Sequence, residues 1–395
     1  MEESEVDLEE FKHFQTVLRA WDQYLPYALS VNQTRRKAIL NLPLAHQEML
    51  SDLRTYLPAP TLPDKVPNTK GNLRQRLNEI DDRIRRNADM LSSMADFCRD
   101  FLGLKASDDQ TMRRDGLNEG HTDSKHTTVS EENQDRIRTA LRQMVRDWSA
   151  EGQHERDAAY NVILQTICQH VSPQQSVRVL VPGAGLGRLP FELAMRGFSA
   201  QGNEFSYFML IPSHFLLNAT QEINQHRIYP HIHSGSNWKT AADMLQEIAI
   251  PDILPSTLPP NADLSMVAGE FIEVYSKPSE YHAWDVVATC YFLDTAKNPI
   301  RYIEVINRVL PIGGVWVNLG PLLWHFEHDQ DTPSLELTLD ELTPLLERNG
   351  FEIKQLRILD PQPYTGSNDS LLIHRYTPVF WVCRKVRDQD MARAI

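Results

Sequence analysis

The stretch Val-Arg-Val-Leu-Val-Pro-Gly-Ala-Gly-Leu-Gly-Arg, residues 177–188, decides how this chain folds. Val177 to Val181 have the aliphatic, mostly β-branched character of a buried strand. Gly183, Gly185 and Gly187 then make a tight turn into an apolar helix that starts near Leu189. A strand, glycine turn and helix in that order let a nucleotide-like ligand approach the backbone, because no side chain intervenes. The phase of the glycines is informative. A dinucleotide fingerprint sets its third glycine at the position held here by Arg188, whereas this turn reads G-x-G-x-G.

The bulk properties remove several function classes. A net charge of −13 leaves no basic excess to neutralise phosphates, so nucleic acid is not an expected partner. Cys98, Cys168, Cys290 and Cys383 are widely separated and form no CxxC pair, which suits a reducing compartment. The acidic start, Met-Glu-Glu-Ser-Glu-Val-Asp, is unlike a signal or transit peptide, and no apolar run is long enough to cross a bilayer. The expected setting is cytoplasmic, with the nucleus as the second option. No membrane partner and no metal are expected.

Working outward, the amino-terminal region reads as helical. Leu77, Ile80, Ile84, Leu91, Met94 and Phe101 recur at helical steps, giving one long amphipathic helix from Leu73, with Arg74, Arg83, Arg85 and Arg86 on its wet side. Phe11 to Leu29 is the expected packing partner. Residues 105–131 lose nearly all apolar character and read as a loop or linker. Ile137, Leu141, Met144 and Trp148 mark a further amphipathic helix, and Tyr160 to His170 another. Strands are then expected at 177–182, 199–203, 264–268, 285–290, 314–319, 351–358 and 378–384, with helices at 188–196, 206–222, 299–309 and 339–348. This is the alternation of an α/β fold with a mostly parallel seven-stranded, Rossmann-like sheet. Only a polar loop separates the last two strands, so one of them is expected to run antiparallel at the sheet edge. The organisation expected is a helical region at 1–104, a linker at 105–131 and a catalytic domain at 132–395.

Three strand ends carry candidate chemistry. Glu204 lies 21 positions after Gly183, where an acidic side chain can accept hydrogen bonds from both ribose hydroxyls of an adenosine. Ala268-Gly269-Glu270-Phe271 follows the next strand. Cys290 and Asp294 follow the strand at 285–290; a carboxylate beside an apolar strand end needs a partner, for which an imidazole or ammonium would serve, and helix capping is the competing role. Cys290 has no histidine or second cysteine nearby in sequence, which disfavours a nucleophilic thiol. Beyond Gly320-Pro321 comes His325, flanked by aromatic residues. Such a histidine is by default packed and hydrogen-bonded, but this one lies past the carboxyl end of a central strand.

The G-x-G-x-G turn is similar to that of S-adenosylmethionine (AdoMet) methyltransferases, which commonly place a carboxylate near the adenine amino group where Glu270 stands, with an apolar ring such as Phe271 beside the base. The chain resembles the carnosine N-methyltransferases in particular, over roughly residues 135–385. The words that carry the resemblance are Val-Arg-Asp-Trp-Ser (145–149), Glu-Arg-Asp-Ala-Ala-Tyr (155–160), Val-Pro-Gly-Ala-Gly-Leu-Gly-Arg (181–188), Gly-Asn-Glu-Phe-Ser (202–206) and Asn-Leu-Gly-Pro-Leu-Leu-Trp-His-Phe-Glu (318–327). The resemblance implies a class I methyltransferase fold and methyl transfer from AdoMet, with S-adenosylhomocysteine as co-product, to the imidazole of carnosine, giving anserine, or of related dipeptides. It implies cofactor contacts from Gln143, Arg146, Gly183, Glu204, Phe271 and Cys290, joined by Gly185, Gly187 and Glu270 from the residue reading. Asp294, His325 and Tyr376 are its dipeptide-binding positions. Glu270 is one methylene longer than the family's usual Asp, and Trp324 stands where Tyr is common.

The implied chemistry is an in-line displacement in which Asp294 holds the non-attacking ring N–H, and His325 and Tyr376 orient the dipeptide. Protein histidine is the competing acceptor, and a homodimer is left open. A non-catalytic methyltransferase-like scaffold is the non-enzymatic alternative. NAD-dependent oxidoreduction is disfavoured by Arg188.

Overall fold

The computed structural model describes residues 2–51, 73–104, 130–329, 333–367 and 369–388. Most of the expected 105–131 linker lies outside them; the helix after it begins at Glu131. Two compact units emerge. One takes residues up to Arg142 with His226–Ala249 and a short stretch ending at Leu372, and the other takes Gln143–Gln225, Ile250–Ser367 and Ile373 onward.

The first unit is built on helices α1 (Glu2–Asp22), α2 (Tyr24–Leu40), α3 (Leu44–Ser51) and α4 (Leu73–Phe101). In α4 the residues Leu77, Ile80, Ile84, Leu91 and Met94 are buried, as their spacing requires, and Phe14, Val17, Leu18 and Trp21 of α1 are buried too. Phe101 breaks the stripe: it sits in the last turn and is 71% exposed. Arg74, Arg85 and Arg86 are exposed and Arg83 is half-buried.

The second unit is the α/β unit. The next helices are α5 (Glu131–Trp148), whose last residues belong to it, α6 (Gln153–His170), α7 (Arg188–Met195) and α8 (Tyr207–Ala219). The strands are β1 (Arg178–Pro182), β2 (Ser199–Glu204), β3 (His226–Ile228), β4 (Ile248–Ile250), β5 (Asp263–Ala268), β6 (Val286–Cys290), β7 (Val315–Gly320), β8 (Phe351–Ile358), β9 (Gln362–Pro363), β10 (Arg375–Tyr376) and β11 (Val379–Lys385). Seven of them form one sheet in the order β5-β2-β1-β6-β7-β11-β8, and β9 pairs with β10; β3 pairs with β4, and apart from Ile250 those two strands belong to the first unit. Five neighbouring strands, β5 through β7, run parallel.

Burial on both faces explains why the central strands are continuously apolar. Alternate residues of β1 serve opposite faces. Val179 and Val181 pack with Ala159, Ile163 and Ile167 of α6. Leu180 packs with Val287, Trp316 and Ile303 in the opposite layer. Chain order reverses between β1 and β6, and open α/β sheets hold their ligands beyond the carboxyl ends of strands at such a switch point.

One expectation needs correction. An antiparallel strand exists, but it is not at the edge: β11 is antiparallel to both β7 and β8 and lies between them. Burial decides this. The Val-Phe-Trp-Val-Cys run of β11 is wholly buried, so it needs cover on both sides. Strand β8, with Glu352, Lys354 and Arg357 on a largely exposed surface, tolerates the edge, where charge also discourages pairing with other chains.

Candidate active site

The glycine turn is held in a shape that side chains oppose. Gly183, Gly185 and Gly187 have φ of +66°, +55° and +80°. At Gly183 a Cβ would stand 2.5 Å from Phe292 Cδ2, so backbone conformation and space both demand glycine. Phe292 meets Phe271 edge-on, with centroids 5.3 Å apart, and stacks on Tyr302 at 4.8 Å. Phe271, 3% exposed, is thus a member of the apolar layer that backs the turn.

Glu204 ends β2 and is tied to the same turn. Its Oε2 accepts the Gly185 N–H at 3.0 Å, and its Oε1 accepts the N–H groups of Phe205 and Ser206, each at 2.9 Å. Burial pushes the carboxyl above its usual range, and these three donors oppose that shift. A carboxylate offers roughly four acceptor directions. Three are used by the backbone, which leaves a direction on Oε2 rather than a free pair for two ribose hydroxyls. Glu270 is the N-cap of the short helix Phe271–Tyr275, its Oε2 accepting the Glu273 N–H at 2.9 Å.

The end of α5 supplies the charged groups. The Arg146 guanidinium, 5% exposed, lies over the rings of Tyr160, Tyr291 and Tyr364 at 4.9, 5.5 and 4.8 Å. Its nearest carboxylates, on Asp147 and Glu155, stand 3.9 Å away, and it reaches Cys290 Sγ at 3.9 Å. A buried cation held by ring faces and distant carboxylates keeps the capacity to grip an incoming carboxylate. Gln143, 9% exposed, has its Oε1 buried without a hydrogen-bond partner. Burial pushes the Cys290 thiol up to about 11, so it is a protonated wall of the site and not a nucleophile.

A buried ion network fixes this corner. Arg156 Nη1 donates to the Arg146 and Ser149 carbonyls at 2.6 and 2.8 Å, and its Nη2 to Asp252 Oδ2 at 2.6 Å. Arg188 Nη1 donates to the Asp147 carbonyl at 2.9 Å and to Asp252 Oδ1 at 2.7 Å. Trp148 Nε1 adds a bond to the Leu186 carbonyl at 3.0 Å. The words at 145–149, 155–160 and 181–188 thus meet around one aspartate, so their sequence identities serve a common frame. Nothing in the sequence had singled out Asp252.

Asp294 lies in a short 3-10 turn after β6 and is 3% exposed. Capping is not its role, since Asn298 caps the helix Pro299–Val309 through the Ile300 N–H. Its Oδ2 instead accepts the Leu323 N–H at 3.1 Å, and its carbonyl accepts the His325 N–H at 3.0 Å. Burial raises the carboxyl to about 7, against the pull of the Leu323 N–H. His325 is exposed rather than packed, although partial desolvation lowers its pKa; Trp324 is the buried member of the aromatic pair. Tyr376, on β10, meets Tyr291 and Tyr364 edge-on at 6.0 Å each, and those two rings stack at 4.4 Å.

The structure therefore brings Arg146, Cys290 and Tyr376 around one aromatic cluster and locks His325 to Asp294 through the backbone. Tyr160, Tyr291 and Tyr364 were missed by sequence reasoning. Tyr291 carries a detectable signal in the structure, a φ of +54° that a non-glycine residue rarely adopts, such strain being concentrated at functional sites. Among the described residues no group of three or more His, Cys, Asp or Glu side chains is placed to hold a metal.

The residues present fit AdoMet. A glycine cradle, a buried carboxylate beside it, an unpartnered Gln143 acceptor and a ring-held guanidinium offer partners for the ribose and the amino-acid end of that molecule.

Comparison with known proteins agrees. A family model described as carnosine N-methyltransferase matches residues 123–387. A carnosine N-methyltransferase of Schizosaccharomyces pombe is 36% identical over 96% of this chain and 97% of its own length. One from Mus musculus is 44% identical over 64% of this chain, a match that spans 63% of the mouse protein. Among solved structures, a SAM-dependent methyltransferase from Methanosarcina mazei is 15% identical, covering 56% of this chain and 98% of that one with a TM-score of 0.36.

Proposed function

The chain belongs to the carnosine N-methyltransferase family, and from that premise we propose that its acceptor is the imidazole of a histidine-containing dipeptide, carnosine foremost, with anserine as product. Family membership makes it an AdoMet-dependent N-methyltransferase, which sets aside the scaffold and oxidoreductase readings. The observation that carries the choice of acceptor is Asp294: a carboxyl buried at the carboxyl end of β6, titrating near neutrality, with a single N–H partner on its Oδ2.

Bound AdoMet supplies an electrophilic methyl on a sulfonium. Gln143 and Arg146 are assigned to its amino-acid end, Glu204 to its ribose, and Phe271, Glu270 and Cys290 to the walls around it. The rest is work for this chain's side chains. A neutral imidazole needs no strong base, since its free pKa is roughly 6.5. Asp294, as carboxylate, accepts the N–H of the non-attacking ring nitrogen. That bond fixes the tautomer and leaves the other nitrogen's lone pair free to form the new N–C bond while the C–S bond breaks towards sulfur. The imidazolium charge that develops is met by the same carboxylate, in surroundings of low dielectric where the interaction is strong. His325 and Tyr376 orient the dipeptide. Positioning of this kind removes several kcal/mol of barrier, on the order of 7–11 at most.

The test is turnover of histidine, carnosine, other histidine dipeptides and a histidine-containing protein peptide, read by mass spectrometry. Methylated dipeptide is the expected product. Turnover confined to the peptide would overturn the dipeptide assignment in favour of a protein-histidine acceptor.

A further inference from the structure

Arg146 and Asp147 are adjacent, buried and oppositely charged, yet the guanidinium stands 3.9 Å from Asp147 Oδ1, too far for a direct hydrogen bond. That oxygen is instead held by the Tyr160 hydroxyl, which donates to it at 2.8 Å. The second oxygen, Oδ2, accepts no hydrogen bond among the described residues. It faces the glycine turn, 3.8 Å from the place a Cβ on Gly185 would take, and Gln143 Nε2 reaches the same place at 4.0 Å. Gln143 also carries the buried, unpartnered Oε1. Asp147 Oδ2, on a residue only 1% exposed, thus borders the turn with unused capacity, beside the Nε2 donor of Gln143. A buried acceptor left short of donors is costly, and an anionic one more so.

A cation with several N–H donors would satisfy Oδ2. We propose that Asp147 is a further AdoMet-binding residue, taking the α-ammonium on Oδ2 while Arg146 takes the α-carboxylate. This rests on the assignment of Arg146 to the amino-acid end. The two side chains form a clamp for a zwitterion, and each is anchored by its own backbone: Arg156 holds the Arg146 carbonyl and Arg188 the Asp147 carbonyl. Tyr160 sets the Asp147 rotamer so that Oδ2 remains turned to the ligand.

The experiment is calorimetric titration of the full chain with S-adenosylhomocysteine and with 5′-methylthioadenosine, which lacks the amino-acid end. Asp147→Asn should weaken S-adenosylhomocysteine binding by about tenfold or more, the range for a hydrogen bond to a charged group, and leave methylthioadenosine within about twofold. Equal losses for both ligands, or a loss for neither, would overturn the proposal. Arg146→Lys run in parallel separates the premise from the inference. If it leaves S-adenosylhomocysteine affinity unchanged, the Arg146 premise fails and the clamp with it; if it lowers that affinity while Asp147→Asn does not, the Asp147 assignment alone fails. Should Asp147→Asn not fold by thermal melt, Tyr160→Phe removes the orienting bond at constant charge. It should weaken only S-adenosylhomocysteine, by a few-fold, and a non-selective effect or none would overturn the assignment.

Discussion

Asp294 ties function to acidity in a way that can be measured. Its carboxyl titrates near 7 because burial penalises the anion, and the proposed chemistry needs that anion. The acceptor imidazole must also lose a proton, with a free pKa of roughly 6.5. Below about pH 6, log kcat/KM should therefore rise with a slope near two, and Asp294→Asn should reduce the slope to one while lowering kcat by about 10²–10³-fold. An unchanged slope would remove Asp294 from the reaction. Stability should move the other way. The folded carboxyl keeps its proton to about pH 7, whereas the unfolded chain loses it near the ordinary value of 3.8, so this site subtracts stability as pH rises between those limits. Asp294→Asn should accordingly raise Tm at pH 8 and change it little at pH 4. The residues legible in sequence, Gly183, Glu204 and Asp294, are those whose spacing along one strand and turn fixes their place. Asp147, Tyr291 and Tyr364 come from three separate segments and meet only after folding, so no local pattern announces them.

At the scale of elements, the network Arg156–Asp252–Arg188 decides whether the end of α5 and the glycine turn keep their geometry. Asp252→Ala would leave the buried Arg156 guanidinium without its carboxylate and Arg188 with Glu192 alone. Removal of one partner from a buried ionic group costs about 3–5 kcal/mol, so the urea midpoint should fall steeply, and S-adenosylhomocysteine affinity should fall with it in whatever fraction remains folded. A midpoint within error of wild type would show that the frame is not held this way. All seven strands of the sheet were legible, to within a residue or so at each end: β1 and β6 from their aliphatic runs, and β8 from the alternation of apolar with polar residues. The position of β11 was not. Chain adjacency says that β8 and β11 pair, but not which of them faces β7; the burial of Phe380, Trp381 and Val382 makes that choice in three dimensions.

The molecule as a whole is a helical unit and a methyltransferase unit, and ligand binding should be felt unevenly across it. With S-adenosylhomocysteine at 100 times Kd, binding adds about 2.7 kcal/mol to the stability of the unit that holds it. Hydrogen exchange should slow at 143–149, 183–188 and 202–206. It should not change in α4, which belongs to the helical unit. Uniform protection of both units would show that they open as one. From sequence the helical region was expected at 1–104 with a polar linker after it; the units instead divide between Arg142 and Gln143, and His226–Ala249 joins the first, since a segment's allegiance depends on packing that its own composition does not encode.

Arg188 began as a residue that disqualifies a dinucleotide fingerprint. In the folded protein its guanidinium is bolted to Asp252 and to the backbone of Asp147. Restoring a glycine at 188 to recruit a pyrophosphate cofactor would therefore dismantle the corner that any cofactor needs. An evolutionary path from this scaffold to a dinucleotide enzyme would have to rebuild that support first, so the preference for one donor is locked in by the architecture and not merely selected at the ligand's surface.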